Sequence, residues 1–174
     1  MRAWVLILLT VVAVTLQGVV APRFQWGAAR PDFPLMLAAF LSLHASRPVR
    51  LCGGWIVGLA LDVTSIEPVG VFTVSYGLAG LTLAVVRDRV FIYHVAVQIA
   101  LVVTAGAVLS AVLLLYRGFA WSGTLGGFAA EFWAAATSTL YTACAAPLVF
   151  YPLLWGAKGL GIPAPGYRAR QGAP

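Results

Sequence analysis

Apolar residues run along this chain in long unbroken stretches, parted by short turns of arginine, proline, glycine and small polar residues. Such runs suit membrane helices, because a lipid-crossing helix needs about 20 apolar residues whereas the strands of a transmembrane barrel alternate. The pattern predicts a bundle of about six transmembrane helices. The first covers 4–20 and leads into a loop at 22–31 that holds Arg23, Trp26 and Arg30. The second starts at Asp32, a good capping residue, has Pro34 in its first turn where a missing N–H costs little, and ends near 45. Arg47-Pro48-Val49-Arg50 then turns the chain into a third helix, which ends near Asp62. Further helices are expected over 69–86, 90–116 and 128–155, the last kinked at Pro147 and Pro152. The second and third are short, about 13 residues each, so they tilt, thin the bilayer or pair as a hairpin that only partly crosses. Full crossing is the expectation, because it makes the charge pattern consistent.

The third helix is the most informative. Gly54, Gly58 and Asp62 are spaced four apart and share one helix face. Two small residues let a neighbouring helix approach closely, and a carboxylate at that depth must face protein or water. Ser65, Glu67, Pro68 and Gly70 follow, the makings of a tight turn into the fourth helix, which carries Gly77 and Gly80 three residues apart. Gly54, Gly58, Gly77 and Gly80 are the candidate helix-packing positions. Asp62, Ser65, Glu67, Pro68 and Gly70 form the candidate turn and partner contact.

Composition makes the membrane class firm. The 174 residues are 61% hydrophobic and 9% charged, where a soluble domain carries about 25% charged residues. The net charge of +6 falls at helix ends, as topology signals and headgroup anchors rather than a nucleic-acid patch. With six crossings, one side receives Arg2, Arg47, Arg50, Arg87, Arg89, Lys158, Arg168 and Arg170, and the other Arg23, Arg30 and Arg117. That asymmetry puts both termini in the cytoplasm and makes Arg47, Arg50, Arg87 and Arg89 a cytoplasmic basic rim, suited to anionic lipid or to topology alone. Residues 1–157 are expected as one helical transmembrane domain and 158–174 as a short, disordered basic tail. The start resembles a signal peptide but lacks a small-x-small site before Pro22, so it reads as the first helix.

The remaining polar groups offer no catalytic constellation. Asp32 reads as a cap, Asp88 as a solvated turn, and Glu131 as a carboxylate at a helix start, where the dipole favours it. His44 and His94 read as packing or interfacial residues. Cys52 and Cys144 lack CxxC spacing and read as small helix-packing residues, not as a metal or redox site. No phosphate loop, HExxH or GxSxG is present, so neither enzyme, metal nor cofactor is expected.

The order of these features resembles the family of the rod shape-determining protein MreD. The likeness rests on Arg30-Pro31-Asp32-Phe33, on the Gly54, Gly58, Asp62 helix, and on an Asp-x-x-Ser-x-x-Pro-x-Gly turn matched by Asp62, Ser65, Pro68 and Gly70. It is specific over about residues 30 to 90 and elsewhere rests on size and hydropathy. The resemblance implies a fold similar to the S-components of energy-coupling-factor vitamin transporters. It also implies a non-catalytic subunit in the bacterial inner membrane, binding a single-span MreC-like protein. Through that partner it joins MreB, RodA and a class B penicillin-binding protein in peptidoglycan synthesis and cell shape. The rival is a substrate-binding S-component of a small-molecule transporter, with Trp55, Tyr76, Trp133 and Tyr141 lining a pocket.

Overall fold

The computed structural model describes residues 3–89, 94–120 and 125–156. Arg2, the expected start of the fifth helix at 90–93, Trp121 and the tail at 158–174 lie outside the described residues. Six α-helices follow in order: α1 (Ala3–Val19), α2 (Phe33–His44), α3 (Arg47–Thr64), α4 (Val71–Val86), α5 (Val95–Ala120) and α6 (Leu125–Trp155). One-turn 3₁₀ segments at Ala21–Arg23 and Arg87–Arg89 extend α1 and α4.

Consecutive helices run in alternate directions. At one end the side-chain oxygen of Gln17, late in α1, accepts the N–H of Phe33 at the start of α2. At the opposite end an Arg87 guanidinium after α4 reaches the Ala45 carbonyl after α2, and Arg50 early in α3 pairs with Asp88. The loop ahead of α2 leans on α6, where the Ser138 hydroxyl accepts the Arg30 N–H at 3.1 Å.

The six-span bundle with an S-component-like fold needs correction. Among the described residues only three helices are long and apolar enough to cross a membrane: Trp4–Arg23, Val71–Arg89 and Val95–Gly118. The physical reasons differ for the other three. Helix α2 has 12 residues, about 18 Å at 1.5 Å per residue, against a hydrocarbon core of about 30 Å. Eleven of its residues are buried, so it is the core of the bundle, ringed by its neighbours. Helix α3 has the length, 18 residues, but carries Arg47, Arg50 and Asp62. Helix α6 spends much of its 31 residues on alanine, serine and threonine, with Glu131 and two prolines, and it continues through both of them. Three spans still make this a multi-pass membrane protein.

The core is centred on Phe40, Leu41 and Leu43 of α2, Val57 of α3, Leu83 of α4, Val102 of α5 and Phe150 of α6. His44 is part of it, stacked on Phe40 at 4.9 Å and edge-on to Phe150 at 6.1 Å. Cys52 and Cys144 are exposed on the outer face rather than packed between helices.

Candidate functional site

Helices α3 and α4 form an antiparallel hairpin whose turn is organised by one carboxylate. Asp62 is 2% exposed. Its Oδ2 accepts the Gly70 N–H at 2.9 Å, the Thr73 N–H at 2.9 Å and the Thr73 hydroxyl, while Oδ1 accepts the Phe72 N–H at 3.0 Å. The first N–H groups of a helix have no partner within it, and here a side chain from the preceding helix supplies one. An ionised carboxylate accepts about four hydrogen bonds, which is the number on offer. Burial of this acid is therefore matched donor for donor.

The rest of the turn fits around that clasp. The Ser65 hydroxyl donates to the Asp62 carbonyl at 3.3 Å, and the Pro68 carbonyl accepts the Val71 N–H at 3.4 Å. Gly70 has φ +108°, a left-handed conformation that side chains rarely adopt, and so it turns the chain into α4. Val63, Ile66 and Val69 point outward, with Ile66 fully exposed.

Below the turn the two helices touch backbone to backbone. A Cβ on Gly58 would sit 2.7 Å from the Thr73 Cα and collide with the Phe72 carbonyl; one on Gly54 would collide with the Tyr76 carbonyl. The Trp55 ring lies across Gly77, and Gly80 faces the Gly54 Cα. The i, i+4, i+8 repeat of α3 thus meets α4 along a single seam. Trp55, Tyr76, Trp133 and Tyr141 do not converge on a pocket: Trp55 covers Gly77, Tyr76 turns to Asp32, and Trp133 is 68% exposed.

Two further polar knots were not evident from the pattern of the chain. Asp32 caps α2 by accepting the Leu35 N–H at 2.8 Å, and it also accepts the Tyr76 hydroxyl at 2.7 Å, while its own N–H donates to Thr142 of α6 at 3.0 Å. One residue therefore ties α2, α4 and α6. Arg117, late in α5, reaches Glu67 of the turn at 3.3 Å and Glu131 of α6 at 3.8 Å. The only signal for these in the sequence was the scarcity of acids, since Asp32, Glu67 and Glu131 are three of the five.

The basic positions gather at the opposite end. Arg50 pairs with Asp88 at 3.1 Å, Arg87 reaches Ala45, and Arg47 and Arg89 are exposed. Among the described residues no group of three or more His, Cys, Asp or Glu could hold a metal ion.

Fold and site together define a multi-pass helical membrane protein whose buried acids fasten helices to one another. The chain belongs to the family of the rod shape-determining protein MreD, whose model it matches over residues 1–155. Its members are non-catalytic, and so is this chain. No curated protein and no solved structure matches it.

Proposed function

We propose that the protein is a non-catalytic membrane scaffold of the bacterial rod-elongation complex, holding an MreC-like single-span partner and thereby supporting peptidoglycan synthesis and cell shape. Family membership supplies the setting. The observation that carries the reading is the pinned α3–α4 turn. Asp62 holds its two ends, and it lifts Val63, Ile66 and Val69 into the open next to Glu67. A rigid apolar knob loses little entropy when a partner closes over it.

In this reading Gly54, Gly58, Gly77 and Gly80 keep the hairpin tight, and Asp62, Ser65, Glu67, Pro68 and Gly70 shape the contact. The end bearing Arg47, Arg50, Arg87 and Arg89 faces the cytoplasm, following the excess of basic residues there. We take both termini to lie on that cytoplasmic side of the inner membrane, by the same excess of basic residues. Residues 1–157 act as the membrane domain and 158–174 as a basic tail. MreB, RodA and a class B penicillin-binding protein are reached through the partner.

Co-purification of the tagged protein in mild detergent tests this. An MreC-like protein with wall-synthesis enzymes is the expected recovery, lost when Ile66 is replaced by Lys. Recovery of paired ATPases with a large membrane coupling subunit would overturn it in favour of a vitamin-transporter component.

A further inference from the structure

An open cleft of about 170 Å³ lies between α2, α5 and α6, on the side of the bundle that carries the α3–α4 turn. It is smaller than the sites of drug-sized ligands, about 300–1,000 Å³, and suits only a short group. One wall is apolar, from Leu35 of α2 with Leu109 and Leu113 of α5. Helix α6 contributes Ser138, Thr139 and Thr142, whose hydroxyls bond to Arg30 and Ala28, to Ser110, and to Asp32 and Ser138. Asp32 lines it between the two, and Arg117 and Glu131 stand in its lining as an ion pair.

The charges do not balance. Among the described residues the ion pairs join Arg50 to Asp88 and Arg117 to Glu67 and Glu131, and none includes Asp32. Arg30, two residues before it, is exposed. Leu35 N–H and the Tyr76 hydroxyl take one acceptor site on each Asp32 oxygen, which leaves about half of a carboxylate's capacity. Tyr76 lies six residues beyond Gly70, about 9 Å down the helix, well inside the bundle. Asp32 is itself half-buried, and a carboxylate there is costly unless further donors, a proton or a cation compensate it.

We propose that this cleft binds an ammonium group carried on a short apolar body, with Asp32 as the counter-ion and the leucines covering the apolar part. The site goes beyond the scaffold reading and stands or falls apart from it. The ammonium has two possible sources, a free alkylamine or the headgroup of an ethanolamine lipid.

The test uses the purified full chain in detergent. Its unfolding temperature is followed with hexylammonium chloride, with hexanol, and with potassium chloride at equal ionic strength. Native mass spectrometry then compares retention of phosphatidylethanolamine and phosphatidylglycerol. Stabilisation by hexylammonium beyond both controls, or preferential retention of the ethanolamine lipid, supports the site; the first alone assigns a free amine and the second a lipid. Asp32→Asn keeps a good helix cap, and it should weaken the ammonium effect at least ten-fold. Ala135→Phe, which fills the cleft from α6, should do the same with Asp32 in place. Equal responses to hexylammonium and hexanol together with equal lipid retention, or undiminished ammonium binding in Asp32→Asn, would overturn the proposal.

Discussion

The phenolic hydroxyl of Tyr76 donates to the carboxylate of Asp32 at 2.7 Å, joining residues 44 positions apart in the chain. Asp32 stands ahead of the buried central helix α2 and Tyr76 lies in α4, so this bond ties the α3–α4 hairpin to the core helix. Tyr76→Phe removes the hydroxyl and little else. A hydrogen bond to a charged group contributes about 1.5–3 kcal/mol, and the variant should lose stability of that order in reversible unfolding in detergent. A loss below about 0.5 kcal/mol would mean that the bond is replaced by solvent in the cleft.

Asp62 should be the least replaceable acid. Asp62→Ala leaves three part-buried N–H groups and a hydroxyl without their acceptor, each costing up to about 1–3 kcal/mol. The variant should fail to accumulate or melt far below the parent. Asp62→Asn keeps one acceptor oxygen and should fall between the two. Protease cleavage within 65–70 reads the same hierarchy, because release of the clasp exposes the turn.

Glycine substitutions should separate by place rather than by number. Gly58→Leu drives a side chain into the α4 backbone and should abolish the folded yield. Gly18→Ala meets nothing within 4 Å and should be silent. At Gly70 there is space for a Cβ, but the backbone is left-handed, so Gly70→Ala should cost about 1–2 kcal/mol through conformation alone. Folded yield by size-exclusion chromatography ranks the three.

The Arg50–Asp88 pair should contribute little. Asp88 is 69% exposed on its side chain, and surface pairs contribute about 0–1 kcal/mol, screened by salt. A double-mutant cycle with Arg50→Met and Asp88→Asn should give a coupling under about 1 kcal/mol that shrinks further in high salt. A larger coupling would assign this pair a structural role equal to that of the buried acids.

Membrane class, the number of helices and most of their positions were readable from the chain, because apolar runs and prolines act locally. The boundaries differ by a few residues: α3 begins at Arg47 rather than after Arg50, since Pro48 fits a first turn. Helical period also puts Gly54, Gly58 and Asp62 on one face, but that α4 is the helix meeting it comes from the packed structure. The number of spans was not readable in the same way. A run of apolar residues looks alike whether lipid or protein surrounds it, and α2, the shortest helix, became the buried centre instead of a crossing.

By itself, then, the sequence determined a helical membrane protein and placed Gly54, Gly58 and Asp62 on one helix face. Only the tertiary structure decided which partners the other acids take. Asp32 meets Tyr76 and Thr142, and Arg117 meets Glu67 and Glu131, across separations of 14 to 110 residues. Those pairings follow from how helices pack around α2, and helix packing is set by the fit of whole surfaces, which no local pattern of residues encodes.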